Sequence, residues 1–130
     1  MKKFLIVLFS MFLIFFLVWG GIKLNFFLYE KRANERIARV IEYQGASKEN
    51  SDILVDSYDS KNGCWYQKIV FKDDPEIAYQ YEYTRSENQV RIFTRYNNMS
   101  LDLANKKAKY PVYDIYFEGN KIIEAEVIER

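Results

Sequence analysis

The chain has 130 residues and a nearly neutral balance of 19 Lys and Arg against 18 Asp and Glu. Nucleic-acid-binding domains usually carry a basic patch or stripe, so this balance argues against nucleic acid as a partner. The sequence contains no histidine and one cysteine, which excludes histidine-based catalytic triads, histidine or cysteine-rich zinc sites and an internal disulfide.

The first predicted element is an apolar segment that begins at Phe4 and ends at Ile22, interrupted only by Ser10, Gly20 and Gly21. As a helix it covers roughly 28 Å at about 1.5 Å per residue, close to the hydrocarbon core of about 30 Å of a bilayer. It lacks the polar face that a surface helix of a soluble domain shows. The segment therefore predicts a helix that contacts the lipid bilayer.

Lys2 and Lys3 precede this segment in the order of an export signal, a basic region followed by an apolar one. The pattern fits either a retained transmembrane anchor or a signal peptide cleaved near Gly20. We favour an anchor over residues 1–28, because the segment exceeds the usual apolar region of about 7–15 residues and apolar residues resume at Leu24. The chain is thus predicted to be a single-pass protein of the cell membrane.

The side of the membrane on which the rest of the chain lies is predicted from the same order. A basic start followed by an apolar helix predicts a cytoplasmic N-terminus and an extracytoplasmic C-terminal domain. By simple count, however, the other flank of the apolar segment holds more basic residues. These are Lys23, Lys31, Arg32, Arg36 and Arg39.

Residues 29–97 are predicted to form one α+β domain. Apolar residues recur at helical spacing at its start, and Gly45 suits the left-handed end of a helix. The hairpin signal Asn62-Gly63 and the turn at Pro75 keep the later connections short, which predicts an antiparallel meander of four strands with the amphipathic helix across it. The stretches with a period of two are residues 53–58, 64–72, 77–84 and 90–96.

The sequence leaves two connections open. The amphipathic helix either continues the apolar helix or is separated from it near Asn25. Residues 98–130 are predicted to contain a linker, in which Ser100 caps a short helix that ends before Pro111, and a C-terminal hairpin with its turn at Gly119. This hairpin extension either adds to the four-stranded sheet or forms an appendage.

Three segments carry a resemblance to a known family. They are VIEYQG at residues 40–45, VFKDDP at 70–75 and YQYEY at 79–83. Together with the basic start and the apolar helix, residues 1–96 resemble an uncharacterised family of short, N-terminally anchored proteins of Gram-positive bacteria, the domain of unknown function 3139 family. The resemblance implies a bacterial membrane protein with one small domain, and it implies no activity, cofactor or catalytic residue.

The sequence offers no catalytic, cofactor-binding or metal-binding set of residues. Asp73, Asp74 and Glu76 lie close together around Pro75, but their spacing matches no calcium loop and is typical of a turn. We interpret Cys64 as a small buried or half-buried residue. No cofactor and no enzymatic activity are therefore predicted.

Aromatic residues give the candidates for partner binding. Tyr79, Tyr81 and Tyr83 share one face of a predicted strand. Either their rings pack under the helix, or they form an exposed strip of the kind enriched at interfaces. Trp65 and Tyr66 would extend such a strip.

We therefore interpret the chain as a membrane-tethered, extracytoplasmic interaction or binding module without catalysis. Its partners would be the lipid bilayer, through the segment from Phe4 to Ile22, and an unknown protein, peptide or envelope component, bound at a sheet edge or an aromatic patch. One alternative is a secreted, small inhibitor-like or signalling protein released by signal peptidase. A second alternative is a hydrolase with a site built from carboxylates alone.

Overall fold

A computed structural model of the chain describes residues 1–96 and 101–127. Helix α1 spans Lys2–Tyr43, and a short helix α2 spans Leu101–Lys107. The chain separates into two units, Met1–Lys31 and Arg32–Arg130. The strands are β1 (Ser51–Asp59), β2 (Cys64–Phe71), β3 (Asp74–Thr84), β4 (Gln89–Arg95), β5 (Tyr113–Glu118) and β6 (Lys121–Val127).

The unit Met1–Lys31 is the N-terminal part of α1 and exposes its apolar side chains. Between Phe4 and Ile22 every large apolar side chain is exposed, from 43% at Leu8 to 71% at Phe4. Ser10 donates its hydroxyl proton to the carbonyl oxygen of Ile6 at 2.8 Å, so its side chain adds no unpaired donor to the apolar surface. By length and composition, this helix is able to span a membrane.

The predicted amphipathic helix is not a separate element, because α1 spans Lys2–Tyr43 without a break. Gly20 and Gly21 lie inside α1. A glycine costs about 1 kcal/mol in a helix interior, which weakens a helix without ending it. Of the two open possibilities, the structure therefore has the continuous helix.

The end of α1 is set by Gly45, as predicted. The N–H of Ala46 bonds to the carbonyl oxygen of Ile41 at 3.0 Å, and the N–H of Gly45 bonds to that of Glu42 at 3.0 Å. Gly45 has a φ of 81°, a conformation that glycine adopts without a steric cost. These two bonds form a Schellman C-cap, which satisfies carbonyl groups that the end of a helix leaves unpaired.

The sheet is a six-stranded antiparallel meander in the order β1-β2-β3-β4-β5-β6. The predicted count of four strands is therefore wrong, because the C-terminal hairpin β5–β6 extends the sheet and is not an appendage. It joins through three residue pairs, which connect Gln89, Val90 and Arg91 of β4 with β5. A period of two identifies strands but does not say which strand a hairpin joins. The predicted helix cap Ser100 lies outside the described residues.

The two faces of the sheet differ in burial. We call the face that contacts residues 32–43 of α1 the inner face and the opposite one the outer face. From α1, Ala33, Ile37 and Val40 contribute side chains with 0% exposure, so the core lies between this part of α1 and the inner face. The buried inner-face residues are Trp65, Gln67, Ile69, Phe71, Ile77, Tyr79, Tyr81, Tyr83, Val90, Ile92, Thr94, Ile115 and Phe117.

Candidate functional site

The structure separates the five aromatic residues predicted to bind a partner. Tyr79, Tyr81 and Tyr83 lie on the inner face with at most 1% of their surface exposed, so they belong to the core and present no exposed strip. Trp65 also lies on the inner face, at 8% exposure, whereas Tyr66 is half-buried on the outer face. The five side chains do not form one surface, and partner binding through Tyr66 stays a prediction.

The core tyrosines donate their hydroxyl groups to polar side chains, Tyr81 and Tyr79 to Gln44 and Asp74. Tyr81 donates to Gln44 Oε1 at 2.6 Å, and Gln44 Nε2 donates to the carbonyl oxygen of Pro111 at 2.7 Å. Tyr79 donates to Asp74 Oδ2 at 2.7 Å. Burial raises the pKa of both tyrosines above the ordinary value, because a phenolate would lose its hydration there.

Asp73 and Asp74, two of the clustered carboxylates in the sequence, tie the β2–β3 turn to the segment before β5. We call this contact the turn clasp and define it by Asp73, Asp74, Tyr79, Lys109 and Tyr110. Lys109 Nζ lies 2.7 Å from Asp73 Oδ2, and the Tyr110 hydroxyl donates to the same oxygen. The backbone N–H of Lys109 donates to Asp74 Oδ2 at 3.0 Å, and that of Tyr110 donates to the Tyr79 hydroxyl oxygen at 3.1 Å.

The electrostatics of the turn clasp explain what its carboxylates do. The side-chain hydrogen bond from Lys109, followed by that from Tyr110, lowers the pKa of Asp73. Asp73 is therefore ionised at neutral pH and is held by donors from the chain itself. Glu76, the third acidic residue of this turn in the sequence, is exposed. Within residues 1–96 and 101–127, no group of three or more His, Cys, Asp or Glu side chains is placed to hold a metal ion.

Arg36 lies at a junction that the sequence reasoning missed. It is 8% exposed and donates from Nη1 to Asn120 Oδ1 at 2.7 Å and from Nε to Asn88 Oδ1 at 3.3 Å. Its guanidinium carbon lies 5.6 Å from the centroid of the Phe117 ring. Asn88 Oδ1 also accepts from the Tyr83 hydroxyl at 3.1 Å. Arg36 thus connects α1 to the β3–β4 and β5–β6 turns.

Asn88 connects this junction to the backbone of the β5–β6 hairpin. It has a φ of 48°, in the left-handed region that asparagine tolerates better than most residues. Its side-chain Nδ2 donates to the carbonyl oxygens of Phe117 and Gly119 at 3.1 and 3.2 Å. An asparagine between two predicted strands, such as Asn88, is a sequence signal for a left-handed turn residue. The burial of Arg36 has no such signal, because a helical pattern does not separate a buried arginine from a solvated one.

The edge strand β1 leaves apolar side chains uncovered. Ile53 and Leu54 are 45% and 57% exposed. Leu54 is the extra residue where the β1–β2 register shifts, a bulge of the kind that disfavours pairing of edge strands between molecules. Farther along β1, Asp56 Oδ1 accepts from Trp65 Nε1 at 2.7 Å. This edge of the sheet therefore leaves apolar side chains uncovered, and binding at a sheet edge stays a prediction.

Cys64 is 3% exposed, which confirms the interpretation of a buried residue. Burial raises the pKa of its thiol to about 11, and the nearby carboxylates of Glu82 and Asp59 add to this effect. A thiol is nucleophilic as the thiolate, so Cys64 is held in its unreactive form near neutral pH. The side chain serves packing in this structure.

Comparisons with known proteins identify a family for the chain. No curated protein and no solved structure matches it. A family model described as "Protein of unknown function (DUF3139)" matches residues 1–81, which is more than half of the chain, although less than the residues 1–96 expected from the resemblance. The matched part ends within β3, and β4 to β6 lie beyond it. The chain therefore belongs to the DUF3139 family of proteins of unknown function.

Proposed function

We propose that this protein is a membrane-tethered, extracytoplasmic interaction module that binds a protein, peptide or envelope component without catalysis. The observation that carries the proposal is the run of exposed apolar side chains between Phe4 and Ile22. Exposing so many large apolar side chains to water is strongly unfavourable, at about 0.8 kcal/mol per CH₂ group. Lipid removes this cost, and a helix satisfies its own backbone groups inside a bilayer.

The proposed orientation rests on the order of a basic region before the apolar run, although the other flank of that run holds more basic residues by simple count. Lys2 and Lys3 precede the apolar run, and a basic start holds the N-terminus on the cytoplasmic side. The unit Arg32–Arg130 is then outside. Its single cysteine forms no disulfide and is buried, so the domain depends on packing and hydrogen bonds, which function in an oxidising compartment as well as in a reducing one.

Two features of the domain support binding rather than chemistry. The carboxylates Asp73 and Asp74 are engaged in the turn clasp, and the thiol of Cys64 is buried. In contrast, apolar side chains at the sheet edges, such as Leu54 and Ile123, are both 57% exposed. Uncovered apolar groups at a strand edge are suited to contacts with another chain.

The test uses one accessible cysteine in an otherwise cysteine-free chain. Ser60 is exposed in the β1–β2 turn, so the double variant Ser60→Cys, Cys64→Ala places a thiol on the outside of the domain. A membrane-impermeant maleimide should label this variant in intact cells. A matched variant, with Cys64→Ala and one cysteine inserted after Met1 so that Lys2 and Lys3 are kept, should be labelled only after the cells are lysed. The opposite pattern would show a cytoplasmic domain and reject the proposed side.

Tethering itself is tested by mass and by extraction. The protein should stay in the membrane pellet at alkaline carbonate pH and should retain the mass of the full chain. Loss of about the first twenty residues, the cleavage expected of a signal peptide, would replace the tethered module by the secreted alternative. Recovery of the full-length chain in the soluble fraction would reject both.

A further inference from the structure

One side of α1 carries a row of basic and aromatic residues, two of which contact the β5–β6 hairpin. Arg32, Arg36, Arg39 and Tyr43 recur at spacings of four, three and four residues, which places them along one side of the helix. Arg36 donates to Asn120 in the hairpin turn at 2.7 Å. At the other end of the row, the Tyr43 ring packs edge-to-face on Tyr113 of β5, with centroids 5.3 Å apart.

Next to this row lies an apolar strip on β6 that the helix leaves partly uncovered. The residue pairs between β5 and β6 place Val127 opposite Tyr113 and Ala125 opposite Ile115. Ile115 is fully buried on the inner face, whereas Val127 is 61% exposed and Ala125 is half-buried. Tyr43 is 50% exposed beside them. The inner side of β6 is therefore an open apolar floor.

We call this surface the arginine shelf and define it by Arg32, Arg36, Arg39, Tyr43, Tyr113, Ala125 and Val127. Arg32 and Arg39 are exposed, and neither makes an ion pair with the part of the chain that the structure describes. Arg36 contacts Glu35 at 3.8 Å, and its Nη2 has no hydrogen-bond partner among the described residues. The wall of the shelf thus carries three arginines, with the exposed carboxylates of Glu35 and Glu42 on the adjacent side of α1, and its floor is apolar.

The acidic residues of β6 do not neutralise the shelf. Glu124 pairs with Tyr116, and Glu126 pairs with Asp114. These positions alternate with Val127 and Ala125, so they lie on the outer face. The partner of the shelf would therefore meet arginine and apolar groups without facing these two carboxylates.

We propose that the arginine shelf binds an extended acidic segment of a partner protein, in which Asp or Glu alternates with apolar residues. The apolar side chains would rest on Val127, Ala125 and Tyr43, since alternate residues of a strand point to one side. The carboxylates would pair with the guanidinium groups, whose planar donors match a carboxylate better than a lysine does. This inference rests on the proposed function, because it names the surface and the partner class of the same module.

The geometry favours a peptide over a lipid surface or a second copy of this chain. The apolar floor follows one strand and repeats every second residue, which matches an extended chain rather than a flat headgroup layer. A second copy offers Asp52 and Asp56 on β1, but Asp56 already accepts hydrogen bonds from Trp65 and Gln67. It also offers Glu124 and Glu126 on β6, but the apolar face of that strand lies beside the second copy's own arginine row, so two copies would bring like charges together. An acidic segment of another protein is the occupant that satisfies both wall and floor.

The test measures binding of a short fluorescent peptide that alternates leucine and glutamate to the full-length protein in nanodiscs of uncharged lipid. We expect saturable binding by fluorescence anisotropy, weaker at high salt, and no binding of the matched leucine–lysine peptide. The variant Arg39→Glu should weaken binding at least tenfold, and Val127→Asp should weaken it to a similar degree. Arg91→Glu, an exposed position on the outer face, is the matched control and should bind as the unchanged protein does.

Several results would overturn the inference. They are a failure of the acidic peptide to bind, equal binding by Arg39→Glu, binding of anionic vesicles in place of the peptide, and a dimer that is lost in Arg39→Glu. Unchanged thermal unfolding of Arg39→Glu shows that a loss of binding does not come from misfolding. The nanodisc assay does not depend on which side of a cell membrane the domain occupies, so its failure is distinguishable from a failure of the labelling test.

Discussion

At the scale of single residues, the domain depends on polar side chains placed inside it. Arg36 is buried, and its hydrogen bonds go to the neutral amide oxygens of Asn88 and Asn120. A buried charge is costly unless its hydrogen bonds are satisfied. The two amides, the face of the Phe117 ring and the Glu35 carboxylate at 3.8 Å offset part of this cost. One arginine therefore fixes the distance between α1 and two turns of the sheet.

Cys64 gives a residue-scale prediction about reactivity. Its pKa is raised from 9.0 to about 11, and each unit of pKa lowers the thiolate fraction near neutral pH about tenfold. In the folded protein Cys64 should react with a disulfide reagent about 100-fold more slowly than in guanidinium chloride, or slower still, because burial also limits access. Absorbance of the released thiol measures the rate.

The raised pKa of Cys64 also makes the stability of the fold depend on pH. The fold favours the neutral thiol, so the contribution of Cys64 to stability is complete below a pH of about 9 and is lost as the pH rises through about 11. Cys64→Ala should remove this part of the alkaline loss of stability. The variant Ser60→Cys, Cys64→Ala is the control for reactivity and should react rapidly. A Cys64 that reacts as fast as this control would contradict the burial of the thiol.

Single residues also show what the sequence could and could not reveal. Gly45 was identifiable because few residues adopt a φ of 81° without strain. The burial of Tyr79 and Tyr81 was one of two interpretations, since alternation marks one face of a strand but does not say whether another element covers that face. Arg36 was not identifiable, because its partners Asn88 and Asn120 are far away in the sequence.

At the scale of elements, the turn clasp connects parts of the chain that are distant in sequence. Asp73 and Asp74 end the β2–β3 turn, and Lys109 and Tyr110 lie just before β5. Tyr79 stands between them, since its hydroxyl both donates to Asp74 and accepts from the N–H of Tyr110. The clasp therefore positions the segment that leads into the C-terminal hairpin.

Tyr79→Phe tests the clasp at this scale. The change keeps the buried ring but removes the hydroxyl, leaving the N–H of Tyr110 and one acceptor of Asp74 without this partner. We expect a loss of about 1–3 kcal/mol in the free energy of unfolding, the usual cost of unpaired buried groups. The measurement is urea unfolding of the full chain in detergent, followed by tryptophan fluorescence.

Tyr66→Phe is the matched control for this prediction. Tyr66 lies on the outer face of the neighbouring strand, and its hydroxyl has no hydrogen-bond partner among the described residues. Its loss should change the unfolding free energy by less than about 0.5 kcal/mol, as is usual for surface positions. Equal effects of the two substitutions would mean that the hydroxyl of Tyr79 does not stabilise the clasp.

Elements were predicted better than their connections. The strands β1 to β4 follow from alternation and from turn residues such as Asn62-Gly63, because both signals are local. The union of the two predicted helices into α1 depends on the absence of a breaker, which is weaker evidence than the presence of one. The addition of β5–β6 to the sheet depends on pairing with β4, and such pairing leaves no local signal in the sequence.

At the scale of the whole molecule, the family match covers fewer residues than the fold does. The match ends at residue 81, inside β3, whereas the sheet continues through three further strands. Those strands cover the core: Val90 and Ile92 of β4 and Ile115 of β5 are at most 1% exposed. In this chain the residues beyond the match therefore complete the same hydrophobic core and do not form a domain of their own.

A chain that ends at Pro111 tests this dependence, because it keeps α1, α2 and β1 to β4 but lacks β5–β6. It loses the buried side chains of Ile115 and Phe117, at about 1.5–3 kcal/mol each. It also loses the bond from Arg36 to Asn120 and the bonds from Asn88 to the hairpin, at about 0.5–1.5 kcal/mol each. The total is on the order of the whole stability of a small domain, about 5–15 kcal/mol.

We therefore expect the domain of the chain that ends at Pro111 to be unfolded, with rapid cleavage by trypsin in membranes and no cooperative thermal transition. A control chain that ends at Val127 keeps every described strand and should resist trypsin as the full chain does. If the shorter chain instead unfolded cooperatively, the helix and four strands predicted from the sequence would be a complete fold. The β5–β6 hairpin would then be dispensable for stability, and the arginine shelf would be a surface added to a fold that does not need it.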